Sequence, residues 1–186
     1  MLATLITAAL AIVATLLGAI VSGRFQERAA ERQVRAAHGE AIRRDRLEAV
    51  TALACAASDH RVAMWRRGDA VLKQAGPERI ETLRGESHMT RSAVTRPLVA
   101  LRVLIEDQAV RAAADSMITL TYAIRQAILT ATADTDREAA KQRLTEAREA
   151  AKAAHDTFVD TAARYLRPAI PTATPDEDGT PATWTA

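Results

Sequence analysis

The chain opens on one long apolar run, and every later hydrophobic stretch steps at intervals of three and four residues. Residues 1–23, MLATLITAALAIVATLLGAIVSG, contain no charged side chain. As a helix they would measure about 34 Å, enough to cross the hydrocarbon core of a bilayer. A cleaved secretory signal would carry a basic segment before a shorter core, so a retained anchor is expected. Within it Thr7, Ala11, Ala14, Gly18 and Ser22 share one helical face. Small residues on such a face let two spans approach closely, so Ala11, Ala14, Gly18 and Ser22 form a candidate transmembrane packing face.

From Arg24 the pattern turns charged. Residues 24–46 have only a thin apolar stripe (Ala30, Val34, Ala37, Ala41). Glu31 with Arg35 and Glu40 with Arg44 are spaced for ion pairs one turn apart. This segment predicts a solvated helical stalk. The stripe thickens at Leu47, Val50, Ala54, Ala57 and Met64, with Arg61 interrupting it, which predicts a packing seam of coiled-coil type. Ala75-Gly76-Pro77 is the first firm break, and Pro77 suits the first turn of a new helix. Pro97 is expected to end or kink that helix, leaving Leu98–Ile105 as a short buried helix.

Residues 107–131 carry the cleanest period, Val110, Ala113, Met117, Leu120, Ile124, Ile128. Asp134-Thr135-Asp136 predicts a turn that caps a last helix. Its seam is Leu144, Ala147, Ala151, Ala154, Phe158, Ala162 and Tyr165. After Arg167, prolines at 168, 171, 175 and 181 predict a disordered tail that holds Trp184. The expected fold is all-α. A transmembrane helix (1–23) continues into a juxtamembrane stalk (24–46) and a mostly antiparallel four-helix bundle (47–167), followed by the tail (168–186).

Composition sharpens this picture in three ways. Aromatic residues are 3% of the chain, so a core of alanine, leucine, isoleucine and valine favours closely packed helices over a sheet. The 25 basic residues nearly balance 23 acidic ones, giving a net charge of +2, so direct nucleic-acid binding is not expected. Seven arginines between 24 and 46 then act on topology: the positive-inside rule puts the bundle in the cytoplasm, near anionic lipid. The single cysteine, Cys55, rules out an internal disulfide framework and a four-thiolate metal site.

Chemistry is harder to find. Of the four histidines (His38, His60, His88, His155), Asp59-His60 and Glu86-Ser87-His88 could face one another as two carboxylate–imidazole pairs. The di-iron bundle pattern needs Glu-x-x-His repeats, and none occurs. Phosphate-binding glycine loops, nucleophile elbows, zinc spacings and dinucleotide fingerprints are absent from the sequence. No catalytic, metal or cofactor residue is therefore assigned, and an enzyme is not expected. The segment 87–96 is unusually polar for a bundle helix. Its hydroxyls suit either a recognition surface or bonding to the helix backbone before Pro97. Trp65, beside Arg66 and Arg67, suits either a partner anchor or the end of the bundle. His60, Arg61, Trp65, His88, Arg91 and Ser92 make up the candidate interaction surface.

Three blocks carry a resemblance. The apolar start is followed by Arg-Arg-Asp-Arg-Leu-Glu-Ala-Val-Thr-Ala-Leu (43–53), Asp-His-Arg-Val-Ala-Met-Trp (59–65) and Glu-Ser-His-Met-Thr-Arg-Ser-Ala-Val-Thr-Arg-Pro-Leu (86–98). Together they resemble the KilB-type proteins, small membrane proteins of filamentous actinomycetes linked to conjugative plasmid transfer. The likeness extends to about residue 130, leaving the last helix and tail outside it. It implies membrane localisation and a role in moving or spreading plasmid DNA, and it brings no catalytic residue. The first expectation is a single-pass membrane protein whose bundle is an interaction or assembly module, its partners being membrane lipid and a second copy or another membrane protein. The alternatives are a membrane-anchored sensor that binds a small ligand, and a metalloenzyme using His60 and His88.

Overall fold

The computed structural model describes residues 2–133 and 136–167, with the side chains of 2–21 and 131–133 outside that description. Among the described residues the chain is all-α and forms four helices: α1 (Leu2–Leu72), α2 (Pro77–Leu104), α3 (Gln108–Ala133) and α4 (Arg137–Leu166). The sequence-predicted anchor and its face at Ala11, Ala14 and Gly18 lie outside the described side chains, while Ser22 is exposed. Among the described residues, no helix is long and apolar enough to cross a membrane. The tail from 168 onward, with Trp184, also lies outside the described residues.

α1 is unbroken through Gly39. Residues 22–41 are all exposed, consistent with their charge and thin stripe. The pair Glu31–Arg35 forms at 3.1 Å, but Glu40 reaches Arg43 at 3.6 Å instead of Arg44. At the base of the bundle two arginines of α1 neutralise helix ends. Arg46 Nε donates to the Leu104 carbonyl at 3.0 Å and Arg43 Nε to the Leu166 carbonyl at 3.4 Å. Cations suit helix C-termini because the last carbonyls there lack partners inside the helix.

Short turns then fold the chain up and down. α1 closes with Gln74 at φ 53°, Ala75 N–H donating to the Ala70 carbonyl and Gln74 N–H to that of Val71. This is the left-handed reversal that commonly ends helices. Between α2 and α3, Ile105 is extended and fully buried, and Asp107 accepts from the Val110 N–H at 2.9 Å. Arg111 donates to the carbonyls of Ile105 and Arg102, closing the end of α2. Asp134 and Thr135 lie outside the described residues. Asp136 caps α4 by accepting from Glu138 and Ala139 N–H groups, each at 3.1 Å.

Two expectations are corrected. α2 does not end at Pro97, so Leu98–Leu104 is its last stretch rather than a separate buried helix. The carbonyl that Pro97 leaves without a donor belongs to Ala93, which is exposed and open to solvent, so the missing bond costs little. Leu101 is fully buried, whereas Val99 and Val103 are exposed, as a continuing helix requires. On α1 the buried row is Val50, Leu53, Ala57, His60, Met64; Leu47 is 53% exposed and Ala54 only partly buried. The seam follows the 3-4 alternation of a heptad. His60 therefore takes the core position, and Arg61 lies beside it.

α1 packs along α2, α3 packs along α4, and α1 also touches both α3 and α4. One core cluster near the base draws on all four helices, with Phe158 its largest fully buried side chain. The second, near the α1–α2 turn, takes its buried members (Met64, Ile124, Ile128, Leu144, Ala151) from α1, α3 and α4 alone. Gly68 makes that packing possible. A Cβ there would come within 2.6 Å of Leu144 Cδ2 and 3.2 Å of Ile128 Cγ1. Gly68→Val is therefore expected to cost about 2 kcal/mol in urea unfolding, despite removing a helical glycine. Leu144→Ala should cost less in the Gly68→Val background than in the parent chain, whereas strictly additive losses would deny the contact.

Candidate functional site

Since α2 contributes no buried residue to the second cluster, it leaves space beside α1 and α3. There a cavity of about 400 Å³ opens. Helical spacing brings its lining to one place. α1 supplies His60, Met64 and Arg67, three residues of one face. α2 supplies Arg84, Ser87, His88 and Arg91 at steps of three, one and three, again a single face. α3 adds Tyr122, Arg125 and Leu129.

The polar groups differ sharply in how they are satisfied. The His60 side chain is 2% exposed and its Nδ1 lies 3.0 Å from Thr90 Oγ1. Thr90 has one hydroxyl proton, donated to the carbonyl of Glu86 or Ser87, which leaves its oxygen to accept from His60 Nδ1–H. The Tyr122 ring meets His60 edge-on, with ring centres 5.4 Å apart. Burial above all, then Arg91 and His88, lowers the His60 pKa to about 4, so the ring is neutral near pH 7. Ser87 donates to the Arg84 carbonyl at 2.8 Å and Ser92 to that of His88 at 3.1 Å. The hydroxyls of Ser87, Thr90 and Ser92 thus bond to their own helix.

The arginines are another matter. Arg91 stacks over the Tyr122 ring, its guanidinium carbon 4.8 Å from the ring centre. Arg84 pairs with Glu81 at 3.5 Å. The Nε of Arg67 is buried without a hydrogen-bond partner. Burial, followed by the charges of Arg84 and Arg125, pulls the Arg67 guanidinium below its ordinary range, with Glu81 opposing. No carboxylate is among the lining residues. The wall is a set of guanidinium and imidazole groups around a half-open space.

Of the six candidate surface residues, the structure brings His60, His88 and Arg91 together at this cavity. The others point elsewhere. Arg61 donates to Ser58, and Trp65 packs on the second core cluster beneath the Arg148 guanidinium, 4.7 Å from its ring centre. Ser92 is exposed one step beyond the lining. Sequence reasoning missed Arg67, Arg84, Tyr122 and Arg125. The row Arg84, Ser87, His88, Arg91 carried a signal, a polar stripe of one period on a helix otherwise short of apolar residues. Among the described residues, no three histidine, cysteine or acidic side chains come together as metal ligands.

Comparison with known proteins now gives the frame. A helical protein of this kind, with an arginine-lined bundle and no recognised catalytic signature, matches the KilB plasmid transfer protein family profile over residues 47–166. The chain belongs to the KilB plasmid transfer protein family. Among its relatives is Protein KilB of Streptomyces lividans, 39% identical over 160 residues, which spans 86% of this chain and 97% of the relative. The match includes the last helix, which the sequence resemblance had left outside. No solved structure matches.

Proposed function

We propose that this protein is a single-pass, membrane-anchored helical interaction protein that assists plasmid transfer or spread, its bundle on the cytoplasmic side. Family membership carries the plasmid-transfer part, since the family is named for that process. The anchor rests on the uncharged residues 1–23 followed by seven arginines up to residue 46. The exposed residues 22–41 of α1 support the stalk, because such a helix holds the bundle away from a surface while presenting charge to it. The partners are membrane lipid and a second copy or another membrane protein.

The test compares the full chain with a variant lacking residues 1–23 in an actinomycete donor whose own copy is deleted. Membrane pelleting after alkaline wash and plasmid spread are scored side by side. The expected result is that only the full chain pellets and restores spread. Equal rescue by the truncated chain would remove the anchor from the mechanism, and no rescue by either would remove the transfer role. Reporter fusions after residues 46 and 167, active only outside the cytoplasm, should both stay silent.

A second reading is favoured by the cavity: the bundle takes a small ligand, and α1 carries the effect along the stalk. Its volume of about 400 Å³ falls within the usual range of small-molecule sites.

A further inference from the structure

We propose that the cavity between α1, α2 and α3 binds a small soluble anion bearing a phosphoryl or pyrophosphoryl group, held by Arg67, Arg84, Arg91 and Arg125. The inference deepens the ligand-binding reading and rests on the cavity, independently of the anchor. Three helices, each presenting one face, line one space with four arginines and no carboxylate. Of the four, Arg84 is paired, with Glu81 at 3.5 Å. Among the described residues, Arg67, Arg91 and Arg125 form no ion pair. Gathering like charges without neutralising them opposes folding, and burying the Arg67 Nε without a partner adds a desolvation penalty. A bound dianion offsets the repulsion among these charges.

Guanidinium chemistry narrows the ligand class. The planar fork of an arginine matches the oxygens of phosphate in paired, charge-assisted hydrogen bonds. Tyr122 already holds the Arg91 fork over its ring, which limits its freedom before any ligand arrives. Size excludes a duplex, since about 400 Å³ admits a phosphoryl group with a small organic portion. Position separates the two sources of phosphate. His60 lies about 55 Å along α1 from Gly23, so an upright stalk keeps the cavity well clear of lipid headgroups. A soluble phosphate ester or pyrophosphate is the source that fits.

Thermal unfolding of the full chain in detergent micelles tests this, with sodium pyrophosphate titrated against sodium chloride of equal ionic strength. A saturable rise in Tm is expected, roughly 5–10 °C at a hundredfold excess over Kd. Arg67→Gln and Arg125→Gln should each weaken binding at least tenfold, and without ligand should melt no lower than the parent chain. Arg61→Gln, outside the cavity, should leave binding unchanged. The proposal is overturned if pyrophosphate acts no differently from chloride, or if its effect survives in both cavity variants. A tighter response to soluble dihexanoyl phosphatidic acid would make the ligand a lipid headgroup, and one to a short DNA duplex but not to pyrophosphate would make it nucleic acid. Either result overturns the soluble-anion assignment. A flat titration leaves membrane pelleting and plasmid spread untouched, so failure of the site and failure of the anchor are distinguishable.

Discussion

Phe158→Ala is expected to lower the stability of the folded chain by about 3–5 kcal/mol. The ring is fully buried in the core cluster near the base of the bundle. Its own helix offers little to refill the hole, because the other buried residues nearby on α4 are Ala151, Ala154 and Ala162. An alanine has no rotamer with which to relax into a cavity, so the cost should fall toward the upper end of the range. A domain of this size is held by only about 5–15 kcal/mol in total, which makes the loss a large part of the whole. Urea unfolding should show the midpoint falling with an unchanged slope. Val159→Ala, one residue on and 39% exposed, is the control and should cost under about 1 kcal/mol. If the two variants unfold together, the core is not organised around α4 as described.

Acidification should produce the second large effect, through His60. Its folded pKa of about 4 lies below the ordinary value of 6.5, first because the ring is buried and then because Arg91 and His88 repel a proton there. Between those two values the unfolded chain binds the proton and the folded chain does not, so stability rises with pH. The contribution is complete above about pH 6.5 and is lost as pH falls through 6.5 toward 4, reaching about 3 kcal/mol at the lower limit. Carboxylates titrate over part of the same window, so the measurement is a difference. Urea midpoints at pH 7.5 and pH 4.5 are compared for the parent chain and His60→Gln, whose amide can still meet Thr90. The parent should lose clearly more stability than the variant. Equal losses would show that His60 is not the group that charges.

Much of the fold could be read from local pattern, and the reasons are specific. Pro77 opened a helix because an N–H is dispensable in the first turn, and Asp136 capped one because its carboxylate can accept from the next free N–H groups. On α3, Val110, Met117, Ile124 and Ile128 are all buried, and on α4 so are Leu144, Ala151, Phe158 and Ala162. On these two helices a single apolar stripe left no competing choice. α1 offered two rows, and the one through Ala54 and Arg61 lost to the one through Leu53 and His60. The winning row buries a leucine completely and gives the histidine a threonine partner. Pro97 misled for a related reason. A proline's cost depends on whether the carbonyl four residues back can reach water, and exposure of Ala93 is a property of the packed bundle.

The candidate site divides in the same way. His60, His88 and Arg91 were visible as chemistry-bearing residues in polar blocks, but Arg67 and Arg125 look like ordinary solvated charges on their own helices. Their convergence depends on how each helix is rotated about its axis. That rotation is set where Gly68 lets Leu144 and Ile128 close against α1 without a place for α2. The sequence by itself determined the all-α class, the breaks at Gly76-Pro77 and before Asp136, the uncharged start and the charged stretch after it, because each follows from residues within a turn or two. Only the tertiary structure decided that α2 continues past Pro97 and that four arginines from three helices surround one cavity, because relative rotation and spacing come from side-chain volumes meeting across the bundle.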